Sequence, residues 1–173
     1  PPGRRALTPA VMPGPNGETG RPVAARVAIA FGSNVGDREA TLARAAVAVG
    51  EVVSNLRLSS VVETEPVGVA PQPLFLNAAA VGTTVCSPRA LLDALLAIEA
   101  RFGRARPYAG APRTLDLDLI LFEDRIIDEP GLLVPHPRFR DRRFVLQPLA
   151  EVAPAWRDPV TGQSIAELLR RLP

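Results

Sequence analysis

Asp116 and Asp118 are the side chains in this sequence best spaced for chemistry, within Pro112-Arg113-Thr114-Leu115-Asp116-Leu117-Asp118-Leu119-Ile120-Leu121. From Leu115 to Leu119 the chain alternates apolar and acidic residues. Successive side chains of a β-strand point to opposite faces, so three leucines line one side and both carboxylates the other. Two carboxylates so spaced sit roughly 7 Å apart at the backbone. Their oxygens can converge on one or two hard divalent cations, and Mg2+ takes one or two carboxylates together with phosphate oxygens and water. Arg113 adds a planar donor fork that matches phosphate. The alternation also describes a half-buried strand with a solvated face. Aspartate is disfavoured in strands, however, and two on one face repel unless a positive charge lies between them, which tilts the reading towards metal.

Other elements must position that strand. Val27–Phe31 reads as a first strand, running into Gly32-Ser33-Asn34-Val35-Gly36-Asp37 and then a helical pattern over 38–49. The turn lacks the lysine of a P-loop and the three spaced glycines of a dinucleotide fold, so it reads as mainly structural, with Asp37 as the helix N-cap. Residues 55–63 alternate as a second strand. Residues 64–73 hold three prolines and must form a loop, of a length often functional. Residues 75–84 read as a third strand, in which Asn77 could satisfy a backbone group or read the edge of a heterocycle. Ser87-Pro88 is a helix start, Leu91, Leu92, Leu95, Leu96, Ile98 and Phe102 give an apolar face, and Gly103 ends the helix. A basic loop with Arg104, Arg106 and then Arg113 leads into the aspartate strand; such a run is either a solvated face or a polyphosphate clamp.

Strand, helix, strand, strand, helix, strand is a ferredoxin-like βαββαβ order. It predicts an α+β fold in which an antiparallel sheet carries helices on one face, followed by a C-terminal extension. In that extension Ile126-Ile127 is a short strand, and residues 132–144 hold the only histidine, His136, with four arginines. Residues 144–151 and 165–172 are helical.

At 173 residues, 47% hydrophobic and 22% charged, the chain suits one domain with a proper core. Its 20 basic residues, all arginine, against 18 acids leave a net charge of +2; nucleic-acid binding does not follow from that balance, though a local anion site could, and no nucleic-acid partner is expected. A single cysteine, Cys86, excludes an internal disulfide and fits a reducing cytoplasm. Charged residues interrupt every apolar stretch, so no membrane partner is expected. Residues 1–25, rich in proline and glycine, read as a flexible extension or linker, and 26–173 as the folded domain, expected to be a monomer.

Six blocks together resemble the 6-hydroxymethyl-7,8-dihydropterin pyrophosphokinase (HPPK) family. They are Ala30-Phe31-Gly32-Ser33-Asn34-Val35-Gly36-Asp37-Arg38, Glu63-Thr64-Glu65-Pro66-Val67-Gly68, Gln72-Pro73-Leu74-Phe75-Leu76-Asn77-Ala78, Gly103-Arg104-Ala105-Arg106, Pro112 to Asp118, and Val134-Pro135-His136-Pro137-Arg138 with Arg142-Arg143-Phe144-Val145-Leu146. The resemblance implies transfer of pyrophosphate from ATP to the hydroxymethyl group of a reduced pterin, with release of AMP, in folate biosynthesis. It implies that Asp116 and Asp118 hold two Mg2+ ions, with Arg104 and Arg113 beside them as catalytic groups. It gives the pterin to Thr64, Val67, Gly68, Phe75, Asn77 and Phe144. ATP falls to Glu99, Arg104, Arg106, Arg113, Leu119, His136 and Arg142. An upstream fusion to another folate enzyme is compatible with the extension. Two other classes compete: a ferredoxin-like binding module without catalysis, and an RNA-binding domain of that fold. The second requires paired surface aromatics on central strands, which Val27-Ala28-Ile29-Ala30-Phe31 does not offer.

Overall fold

Strand β1 (Ala25–Ser33) is the spine of the molecule because its last seven residues are apolar or small enough to be buried on both faces. The computed structural model describes residues 23–66, 71–103 and 110–173. Most of the expected extension, and the expectations placed on Val67, Gly68, Arg104 and Arg106, therefore lie outside the described residues. β1 pairs antiparallel with β4 (Phe75–Thr84) on one side and β5 (Asp116–Phe122) on the other, while β2 (Ser54–Leu58) and β3 (Val62–Thr64) both pair with the far edge of β4. The order β2-β4-β1-β5 is that of the expected ferredoxin-like sheet.

Helices α1 (Arg38–Val49) and α2 (Pro88–Arg101) cover one face. Their starts are the capped ones read from sequence: Asp37 accepts the Ala40 N–H, and Ser87, followed by Pro88, accepts the Ala90 N–H. A side-chain cap of this kind is worth about 1 kcal/mol. Beneath them Ile29, Phe31, Leu91, Leu95, Leu115 and Leu117 form a single core. Leu96, expected on the apolar face, is instead largely exposed, since it lies on the side of α2 turned from the sheet.

Three expectations change. The single strand over 55–63 is two strands. Leu58 lies opposite Ala80 but Val62 opposite Asn77, so one extra residue is absorbed between them. Ser59 spans the break by exchanging hydrogen bonds with Ala79, its hydroxyl accepting the Ala79 N–H at 2.9 Å. Helices also cover both sheet faces. α3 (Arg143–Val152) and α4 (Ile165–Arg171) pack Val145, Leu146, Leu149 and Ile165 against Ala28, Ala30, Ala79 and Val81, small residues that let α3 approach closely. The Ile126-Ile127 strand, finally, is half of a hairpin of β6 (Ile127–Glu129) and β7 (Leu132–Val134), with Ile126 itself exposed. Gly82 allows the β2 edge to close on β4, because a Cβ there would stand 2.6 Å from Val53 Cγ1 and 2.7 Å from Ser54 O.

Candidate active site

One cavity of about 1010 Å3 opens where β5, the N-terminal half of β4, the end of β1 and the segment from His136 to Val145 meet. The alternation in β5 sends Leu115, Leu117 and Leu119 into the core beneath α1 and α2, and Asp116 and Asp118 into the cavity. Register fixes their neighbours, since Gly32 pairs with Asp116 and Ala30 with Asp118. Gly32 keeps the floor open: a Cβ there would lie 3.5 Å from Asn77 Oδ1 and 3.7 Å from Asp116 Cβ.

The two carboxylates are differently held. Arg113 NH1 donates to Asp116 Oδ2 at 2.6 Å, and its guanidinium carbon stands 5.7 Å from the Phe75 ring centroid. Among the described residues, Asp118 Oδ2 has only His136 Nε2 at 3.8 Å and Arg142 NH1 at 3.7 Å. Burial, and then the charge of Asp116, push the Asp118 carboxyl above the usual carboxylate range, against the pull of His136, Arg142 and Arg113. Burial likewise pushes His136 down, although Asp118 opposes it. Among the described residues, the cations near Asp118 do not offset its burial and the charge of Asp116. Among the described residues no third carboxylate, histidine or cysteine completes a protein-only metal cage. Two carboxylates facing one space, with positions left for phosphate and water, are the donor set that suits Mg2+. The Nε–H of Arg113 is buried with no acceptor among the described residues, a donor placed to meet an added anion.

Across β4, Asn77 is buried, and its Nδ2 donates to Thr64 Oγ1 at 2.7 Å. That bond leaves the amide oxygen towards the cavity that Phe75 and Phe144 also line. Phe144 is covered by Arg142, 5.5 Å from guanidinium carbon to ring centroid. The His136 backbone N–H is tied to Ile120 O at 3.0 Å after a cis Val134–Pro135 peptide. The Arg138 N–H donates to His136 Nδ1 at 3.2 Å, so in the neutral ring the proton sits on Nε2, the nitrogen facing Asp118.

Of the residues expected at the site, Asp116, Asp118, Arg113, Thr64, Phe75, Asn77, His136, Arg142 and Phe144 line this one cavity. Two do not. Leu119 is buried in the core on the far side of the strand, a direct consequence of the alternation. Glu99, expected among the ATP contacts, is 1% exposed and accepts the Leu117 N–H at 2.6 Å. It braces β5 from the opposite face.

Other residues were missed. Asn34, set aside with a structural turn, is 1% exposed and clasps three segments. Its Oδ1 accepts the Arg113 N–H at 2.8 Å, while its Nδ2 donates to Gln72 Oε1 at 2.8 Å and Pro73 O at 3.1 Å. No local pattern distinguishes such an asparagine from a solvated turn residue. Arg138, Asp141 and Arg143 also line the cavity; the signals for them were their clustering near His136 and, for Arg138 and Arg143, their place in the sixth family block.

The family model for 7,8-dihydro-6-hydroxymethylpterin-pyrophosphokinase (HPPK) matches residues 28–154. A 2-amino-4-hydroxy-6-hydroxymethyldihydropteridine pyrophosphokinase of Pseudomonas aeruginosa is 42% identical over 151 residues, covering 86% of this chain and 92% of its own. The protein of that name from Synechocystis is 47% identical over 102 residues, 59% of this chain and 52% of its own. In fold, the HPPK-DHPS of Plasmodium falciparum superposes with a TM-score of 0.70 at 14% identity, over 88% of this chain and 45% of that one. The chain thus spans about half the length of the last two proteins and nearly all of the first. On a family match that runs from β1 through α3, and so through every segment that builds the cavity, this chain belongs to the 7,8-dihydro-6-hydroxymethylpterin-pyrophosphokinase family.

Proposed function

We propose that residues 26–173 form a catalytic domain that transfers the pyrophosphoryl group of ATP to the hydroxymethyl oxygen of 6-hydroxymethyl-7,8-dihydropterin in folate biosynthesis. The observation that carries this reading is the union, in one cavity, of a paired-carboxylate strand, two phenylalanines and a buried amide. In the reaction the pterin hydroxyl oxygen bonds to the β-phosphorus, the bond from that phosphorus to the bridging oxygen of the α-phosphate breaks, and AMP leaves. Positioning and charge neutralisation suffice, without a covalent enzyme intermediate.

Phe75 and Phe144 offer aromatic faces to the flat pterin, and the free oxygen of Asn77 accepts from its edge. Thr64 fixes which end of that amide faces the ligand, because it accepts from Asn77 Nδ2. Asp116 and Asp118 would hold two Mg2+ ions, which would supply neutralisation of phosphate charge and polarisation of the transferred group. Arg113 and Arg142 supply planar donors, and His136 presents Nε2–H beside Asp118. Val67, Gly68, Arg104 and Arg106 complete the ligand contacts in this reading. Cys86, a free thiol half-buried against the core, fits a reducing cytoplasm.

Incubation with Mg-ATP and 6-hydroxymethyl-7,8-dihydropterin tests the reading through the adenine products. AMP formed one-for-one with a pterin diphosphate is expected. ADP would mean phosphoryl transfer and overturn it, and binding of both ligands without nucleotide consumption would leave a non-catalytic binding module.

A further inference from the structure

The cavity wall formed by residues 136–144 carries four arginines, and the protein itself engages three of them. Arg140 forks onto Asp158, Nε to Oδ2 at 2.7 Å and NH2 to Oδ1 at 2.6 Å. Arg143 donates to Leu172 O at 2.9 Å and to Pro173 O at 3.1 and 2.7 Å. Arg142 covers Phe144 and approaches Asp118. Arg138 lines the same cavity and is exposed, yet its guanidinium has no ion pair, hydrogen bond or ring contact among the described residues. Only its backbone is committed, the N–H to His136 Nδ1 and the carbonyl to the Asp141 N–H at 3.4 Å. Asp141, the acid on the same turn, acts on Arg140.

A cation with a fixed backbone and an uncommitted fork at a cavity rim has one evident use, a multivalent anion that arrives and leaves. Its neighbours narrow the choice. Its N–H is bonded to Nδ1 of His136, whose other ring nitrogen lies 3.8 Å from Asp118, so Arg138 borders the carboxylate side of the cavity. We propose that Arg138 contacts the diphosphoryl unit that travels between the substrates, first as the outer phosphates of ATP and then as the diphosphate of the pterin product, and does not contact the nucleoside monophosphate. The inference rests on the pyrophosphokinase reading and adds to it a contact followed through the transfer.

Calorimetry in Mg2+ on Arg138→Ala and Arg138→Lys tests it, with α,β-methylene-ATP, the pterin diphosphate, AMP and the unphosphorylated pterin as separate titrants. Arg138→Ala should weaken the analogue and the pterin diphosphate about tenfold each, equivalent to about 1.4 kcal/mol, and leave AMP and the pterin within about twofold. The loss should shrink at about 0.5 M salt, where an exposed charge is screened. Arg138→Lys should recover part of it, since charge without the fork remains. Unchanged affinity for the analogue, or an equal loss for AMP, overturns the inference. If the wild-type protein forms AMP and the variant binds the analogue normally, the Arg138 contact alone falls. If the wild-type protein forms no AMP, the reading beneath it falls.

Discussion

The cavity has two walls built on different principles. The strand wall, with Asp116, Asp118, Asn77 and Phe75, is set by hydrogen-bonded register across β5, β1 and β4. Each side chain there is placed by its neighbours on the ladder, and little but global unfolding would displace it. The segment wall, from His136 to Phe144, has a three-residue 3-10 turn (Phe139–Asp141) and the start of α3, whose N-cap position, Arg142, makes no side-chain cap. It is held instead by long-range bonds: Arg140 to buried Asp158, Arg143 to the carbonyls of Leu172 and Pro173, and His136 N–H to Ile120 O. Rigid carboxylates thus face an arginine wall anchored from outside, which suits a ligand whose charged part must enter and leave.

The largest effect expected from breaking this contrast comes from Asp158. It has no solvent exposure and accepts from Arg140, Thr161 and Val160. Asp158→Ala should cost about 3–5 kcal/mol in chemical denaturation, because it strands the Arg140 charge. Burial pushes the Asp158 carboxyl up, but bonds from Arg140, Thr161 and Val160 more than offset that and hold it below its usual value. Its folded value lies below the unfolded one, near about 3.9, so its stabilisation is complete above that pH and is lost as pH falls through the folded value. Melting curves between about pH 5 and 2 should show that loss in the wild type and a shallower one in Asp158→Asn.

On the strand wall, Asp118→Asn should lower turnover by about a thousandfold, roughly 4 kcal/mol of barrier. The melting temperature should stay level or rise, because burial and Asp116 already oppose the ionised form. Near-normal turnover would remove Asp118 from the metal pair. The link between β1, the 71–74 segment and Arg113 is Asn34, and Asn34→Ala should cost about 1–3 kcal/mol of stability by orphaning buried donors and acceptors. A null result there would mean that the backbone bond from residue 34 to Arg113 O, with Asp116 and Phe75, suffices to place Arg113. Smallest is Phe144→Ala, expected to weaken pterin binding by about 1 kcal/mol while ATP binding changes less. Equal losses by calorimetry would make Phe144 a packing residue.

The strand wall was legible from sequence because β-structure writes itself locally: period two in Leu115–Leu119 fixed the face of each aspartate, and Ser87-Pro88 fixed the start of α2. That same period placed Leu119 in the core, so its expected place at the ligand conflicted with the pattern that found the aspartates. The segment wall was legible only as a cluster of arginines around His136. Their separate tasks depend on partners distant in sequence, such as Asp158 and Leu172, which no spacing encodes.

The sequence by itself determined the helix caps at Asp37 and Ser87, the βαββαβ order, the paired carboxylates and the blocks that mark the family, since these depend on neighbours within a few residues. Tertiary structure alone decided that α3 and α4 cover the second sheet face, that Asn34 joins three segments, and that Glu99 braces β5 from behind. It also left Arg138 with a guanidinium uncommitted among the described residues on the cavity wall, because which charges are satisfied is settled only when residues far apart in the chain are brought within hydrogen-bonding distance.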